Sequence, residues 1–240
     1  MKTSTTLLTL LLTSVSASVA LASTSPVVAP IPVTHVYSPL GFDSNDNVEV
    51  IVKGYLPNLC YRAPNTRSQV TANTIQIQVT ALRPSENIMC AQIVVPFLES
   101  AQIGVLDKGD YGIFVNSTEA NSRNSAIRIG EATSSAVDDN VYANVESVER
   151  VPGTRTVFLK GTNPADCYDL DQIKYVSNGK DTYSVLPVMK QVKPTCTAKA
   201  VVFSYKWDVP TDLGSIEQMP LLHVRVMNGK SVNVLFDETE

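Results

Sequence analysis

The side chains with the most chemistry in this 240-residue chain are four cysteines and two histidines, and their spacing already sorts them. Cys60 and Cys90 lie 30 positions apart, and Cys167 and Cys196 lie 29 apart, so the cysteines come as two matched pairs. No Cys-x-x-Cys and no Cys/His cluster has zinc-ligand spacing. The matched spacing predicts two structural disulfides, Cys60–Cys90 and Cys167–Cys196. Closing a loop of about 30 residues contributes about 3 to 4 kcal/mol, chiefly by restricting the unfolded chain. His35 and His223 have no acidic or cysteine neighbour in sequence, and no Gly-x-Ser-x-Gly elbow accompanies them as a nucleophile. His35 therefore reads as incidental to an extended lead-in. His223 shares alternation with Arg225 and reads as a solvated ring on the wet face of a strand. No catalytic, cofactor-binding or metal-binding residue is assigned.

Three further groupings carry a possible chemistry. Asp43-Ser44-Asn45-Asp46-Asn47 places oxygen ligands at alternate positions, as a calcium loop begins, but lacks the following glycine and the closing glutamate. It reads as a polar turn, because Asx side chains cap their own backbone. Phe203, Tyr205 and Trp207 alternate along one strand face. Exposed, Tyr205 and Trp207 would stack a sugar ring; buried, they are core, which is the favoured reading. Asn116-Ser117-Thr118 is a glycosylation acceptor only in a host that glycosylates, and otherwise a turn.

What must position these residues is a repeated unit. Lys53-Gly54-Tyr55-Leu56-Pro57-Asn58-Leu59-Cys60-Tyr61 recurs 107 positions later as Lys160-Gly161-Thr162-Asn163-Pro164-Ala165-Asp166-Cys167-Tyr168, so both copies read K-G-x-x-P-x-x-C-Y. Each second cysteine leads into a β-rich run, Ile93–Phe97 and Ala200–Phe203, and the segment from Gly104 to Asn116 is answered loosely by Gly214 to Asn228. Thr74–Thr80 alternates apolar and polar residues with the period of a half-buried strand. Val48–Lys53, Arg155–Lys160 and Ser231–Val234 read likewise, each with one wet face. Gly54 and Gly161 are expected to end their strands, and Pro96 marks an edge strand or bulge. Asn178-Gly179, Asn228-Gly229 and Lys108-Gly109-Asp110 supply turns.

Met1-Lys2, the apolar run from Leu7 to Leu12 and Ala20-Leu21-Ala22 form the three parts of a cleavable export leader, residues 1–22. Residues 23–34 form a proline-rich lead-in that either moves freely or adds an edge strand. With 19 basic against 23 acidic residues the chain has no footprint for nucleic acid, and no later run suits a bilayer. The leader, the K-G-x-x-P-x-x-C-Y turn, the second cysteine and Gly-x-Leu-x-x-Gly-x-Tyr-x-x-x-Val-Asn at 104–116 together resemble uncharacterised immunoglobulin-like domains of exported bacterial proteins. The resemblance implies a fold and an address, periplasmic or extracellular, and no active residues. The expected architecture is all-β: two tandem immunoglobulin-like antiparallel β-sandwiches, residues 35–135 and 136–240, each with one internal disulfide. The expected function is a non-enzymatic exported module that binds a protein partner. Carbohydrate binding through Tyr205 and Trp207 is the second reading, and a hydrolase or inhibitor with a scattered site the third.

Overall fold

A computed structural model describes residues 25–85, 88–117, 122–212 and 219–236. The leader read at 1–22, Thr118 of the glycosylation triplet and the Gly214-Ser215-Ile216 match lie outside the described residues. The clearest alternation in the sequence becomes a strand whose Ile75, Ile77 and Val79 are buried while Gln76 and Gln78 are exposed. The first half runs β1 (Val27–Pro30), β2 (Val33–Tyr37), β3 (Phe42–Asp43), β4 (Val48–Leu56), β5 (Arg62–Thr71), β6 (Thr74–Arg83), β7 (Val95–Gly104), β8 (Gly109–Val115) and β9 (Arg123–Gly130). The second runs β10 (Val145–Arg150), β11 (Thr156–Ala165), β12 (Tyr168–Ser177), β13 (Thr182–Gln191), β14 (Ala198–Asp208), β15 (Leu221–Val226) and β16 (Lys230–Leu235). The described residues contain no α-helix.

Both halves divide their strands in the same way. A three-stranded sheet, β2-β4-β7 or β10-β11-β14, faces one built on four shared strands, β5-β6-β8-β9 or β12-β13-β15-β16, which β1 on β6 and β3 on β9 widen to six in the first half. Each sandwich closes over its own apolar core, with Val50, Val52, Ile75 and Ile113 in one and Val157, Leu159, Val185 and Val224 in the other. Tyr111 donates to the carbonyl of Asp107 at 3.0 Å, the upstream hydrogen bond of a tyrosine corner. The pairing inside the four-stranded sheet departs from the immunoglobulin order: β6 lies parallel to β8, and β13 parallel to β15. The lead-in adds an edge strand, since β1 pairs with β6 beyond the point where β8 leaves it.

Both predicted disulfides form, Cys60–Cys90 and Cys167–Cys196. In each half the bridged loops are the two crossovers between sheets, β4 to β5 and β6 to β7 or their counterparts, so the bridge pins one end of the sandwich. The repeated glycine has a common cause. A Cβ on Gly54 would lie 2.2 Å from the carbonyl oxygen of Pro32, and one on Gly161 would lie 2.0 Å from that of Asn144. The neighbouring strand comes too close for any side chain, and the strands continue through both glycines instead of ending there. β7 is an edge strand, as Pro96 requires.

The two sandwiches stack sheet on sheet. The outer face of β2-β4-β7 meets the outer face of β12-β13-β15-β16, joining Tyr37, Ile51 and Leu221 in an apolar cluster between the halves. β4 and β15 are therefore buried on both faces, which corrects the expectation of one wet face for Val48–Lys53. Alternation distinguishes the two faces of a strand, but a second module can cover the face that looks solvated.

Candidate functional site

The contact between the halves gathers most of the buried charge. Along β15, Leu222, Val224 and Val226 point into the second core, which turns Leu221, His223 and Arg225 toward the first sandwich. The Arg225 guanidinium forms a fork with Asp46, with Nη1–Oδ2 at 2.8 Å and Nη2–Oδ1 at 2.5 Å. It also donates to Asp138 and to the Gly41 carbonyl, and it lies over the rings of Phe42 and Tyr142. Burial, followed by the neighbouring Asp46 carboxyl, pushes the Asp138 pKa up to about 7. The Asp43–Asn47 run is the polar turn read from sequence, with Asp46 capping the Asp43 amide at 2.7 Å, and its additional task is to meet Arg225.

His223 is the clearest correction: it is 1 % exposed rather than solvated, because the sheet face it occupies is covered. Its Nδ1 lies 2.9 Å from Asn233 Oδ1 and 3.3 Å from Glu49 Oε1, both acceptors, so Nδ1 carries the proton. Nε2 is buried without a partner among the described residues. Burial holds the His223 pKa below that of a free imidazole. Burial also opposes charge on Glu49. The adjacent imidazole and hydrogen bonds from Ser100, Ser231 and Asn233 outweigh it and keep the carboxyl below its usual range. His35 is not incidental either, since its Nε2 lies 2.7 Å from Asp181 Oδ2 across the same contact. These histidines and carboxylates are taken up in joining the halves, and none opens into a described cavity.

Phe203 is buried, while Tyr205 and Trp207 are half-buried and pack against the second core. Trp207 also contacts the rings of Tyr175 and Tyr183. The solvent face of β14 belongs to Val202, Ser204, Lys206 and Asp208, so the aromatic row reads as core lining. The Asn116 amide is likewise occupied: Nδ2 donates to the Ile31 carbonyl at 3.0 Å, and Oδ1 accepts from the Val79 amide at 2.8 Å. No group of acidic, histidine and cysteine side chains among the described residues is arranged to hold a metal ion.

The most unusual surface lies at the disulfide-bonded end of the first sandwich. Leu59, Ile88, Met89, Ile93 and Val94 are each more than half exposed and flank the Cys60–Cys90 bridge. Their backbone is fixed: the Leu59 amide donates to the Ala91 carbonyl at 3.2 Å, and the Cys60 amide to Asn58 Oδ1 at 3.0 Å. A hollow of about 150 Å³ at its base is lined by Asn58, Tyr61, Arg83, Pro84 and Ile88 with the bridge itself. At the same end of the second sandwich Lys193 pairs with Asp166 at 2.8 Å, and Asp166 accepts from the Thr197 amide. The sequence reads Ile93–Phe97 as one β-rich run, whereas β7 begins only at Val95 and leaves Ile93 and Val94 in the loop. The signal within reach was the apolar composition of Ile88-Met89 and Ile93-Val94 beside a cysteine.

Residues 50–124 match the family model of the ORF11 beta-sandwich domain, which takes in the apolar end. An uncharacterized 10.2 kDa protein in the HgiCIIM 5' region of Herpetosiphon aurantiacus is 39 % identical over 70 residues, 29 % of this chain and 73 % of that protein. Two similar proteins from that organism, in the HgiBIM and HgiEIM 5' regions, are 37 % identical over 70 residues, 84 % of their length. No solved structure matches the chain.

Proposed function

This chain belongs to one family with the 10.2 kDa Herpetosiphon proteins and carries the ORF11 β-sandwich domain, and from that premise we propose that it is a non-enzymatic exported binding module that engages a protein partner through the apolar, disulfide-bonded end of its first sandwich. The observation that carries the reading is the group Leu59, Ile88, Met89, Ile93 and Val94, held in the open by Cys60–Cys90. A contiguous exposed apolar patch marks an interaction surface, and a covalently fixed one loses little conformational freedom on binding. The chain's net negative charge disfavours an anionic bilayer as the occupant. Two disulfides support an oxidising address, as does the leader-like start of the sequence.

A photo-crosslinking side chain at Met89 or Ile93, in protein expressed in its native envelope, is expected to give one discrete protein adduct. The same group at Lys193 gives none. Met89→Asp with Ile93→Asp should abolish the adduct while leaving the fold intact by circular dichroism. Unchanged capture by the double variant, or adducts only with lipid, would overturn the reading.

A further inference from the structure

The outer face of the four-stranded sheet is buried in the second sandwich and open in the first. Counted back from the strand ends Val226 and Val115, the mating residues Leu221, His223 and Arg225 of β15 are answered on β8 by Asp110, Gly112 and Phe114. The apolar and buried-charge set that receives a protein sheet in one copy is absent from the other, and a trough of about 460 Å³ lies there instead. It crosses β5 and β6 where β8 leaves β6 and β1 takes its place, a junction sealed by the Asn116 amide.

Arg67, Gln69, Gln76 and Gln78 line the trough. They are exposed, and none has a side-chain partner among the described residues. Register places Arg67 opposite Gln78 and Gln69 opposite Gln76, with Phe114 beside Gln76 on the next strand. Neighbouring strands lie about 4.8 Å apart, so the amides form a grid of paired donors and acceptors at that spacing. Such a grid suits a ligand carrying adjacent hydroxyls, with an exposed ring at its margin to meet the apolar face of a sugar. Among the described residues Arg67 is the one charged residue in the lining, and its guanidinium suits a carboxylate in fork geometry.

We propose that this trough binds a carboxylated oligosaccharide. The proposal goes beyond the apolar end and rests on the binding-module reading only in that both need a rigid scaffold. The test follows amide resonances of the full-length protein during titration with oligogalacturonate, and in parallel with the neutral chito-oligosaccharide of equal length. Oligogalacturonate is expected to shift residues of β5 and β6 saturably and to bind at least tenfold more tightly than the neutral probe. Arg67→Gln should remove that preference, and Gln76→Ala with Gln78→Ala should weaken both probes at least tenfold without altering the circular dichroism spectrum. Absence of shifts on β5 and β6, equal binding of both probes, or self-association of the protein through this face by sedimentation would overturn it. Retention of the Met89 adduct in the Gln76/Gln78 variant separates failure here from failure of the protein-binding reading.

Discussion

Replacing Arg225 by methionine keeps the stem of the side chain and removes its charge. Arg225 and Asp46 have side chains only 5 % and 3 % exposed, so the variant strands a carboxylate where water barely reaches. Breaking a buried pair by deleting one partner costs about 3 to 5 kcal/mol. Asp138 tempers this cost, since its pKa is already raised to about 7 and it can take up a proton. The expected loss is therefore that of one uncompensated charge, about 3 to 4 kcal/mol at neutral pH. With a urea slope of about 2 to 3 kcal/mol per molar, the midpoint falls by roughly 1 to 2 M. Arg225 bridges the halves, so tyrosine and tryptophan probes of the two sandwiches, coincident in the parent, should separate in the variant. The triple change Asp46→Asn, Arg225→Met and Asp138→Asn should recover most of the loss, because a wholly neutral cluster has no charge to desolvate. A loss under about 1 kcal/mol, or a triple variant no more stable than the single one, would refute the reasoning.

Asp138 titrates higher in the folded than in the unfolded chain, so the folded state holds the extra proton. Its stabilising effect is complete below about pH 4 and is lost as pH rises toward 7, and Asp138→Asn should flatten the fall in urea midpoint across that window. Burial and the nearby Asp181 carboxylate raise the Tyr37 pKa to about 12. Its hydroxyl donates to the Met219 carbonyl at 3.0 Å, so Tyr37→Phe should cost about 1 to 2 kcal/mol and delete the last phenolate transition in an ultraviolet titration. Gly54→Ala and Gly161→Ala each drive a Cβ into a carbonyl oxygen, and each should lower stability by about 2 to 3 kcal/mol in urea unfolding. Cys60→Ser with Cys90→Ser removes a cross-link closing 30 residues and should cost about 3 to 4 kcal/mol while releasing the apolar end, read as loss of the Met89 adduct.

The repeat made most of the architecture legible. Two motifs at one offset fixed the cysteine pairing, and period-two patterning found β6, β11 and β16 close to their true places. His223 and Glu49 show where the signal stopped. Each alternates with apolar neighbours, as a surface residue does, and nothing local records that a distant sheet lies over it. The parallel pairing of β6 with β8 was hidden for the same reason, since register between strands that are not sequence neighbours leaves no local mark. Gly54 was visible as an invariant of the repeat, yet its cause is the Pro32 carbonyl just before β2, the neighbour of β4. The apolar end was overlooked because hydrophobic residues in a loop look like the start of the next strand until burial distinguishes them.

The two sandwiches meet through unlike faces, the three-stranded sheet of one against the four-stranded sheet of the other. Such a head-to-tail joint has no built-in end and would propagate into a filament if every copy offered both faces. Opposite the joint, β10, β11 and β14 present Glu149, Lys160, Lys206 and Asp208 in ion pairs, and β8 presents Asp110, paired to Arg128 on β9. Those paired charges disfavour a third sandwich at either pole, as polar caps do on the outer repeats of solenoid proteins.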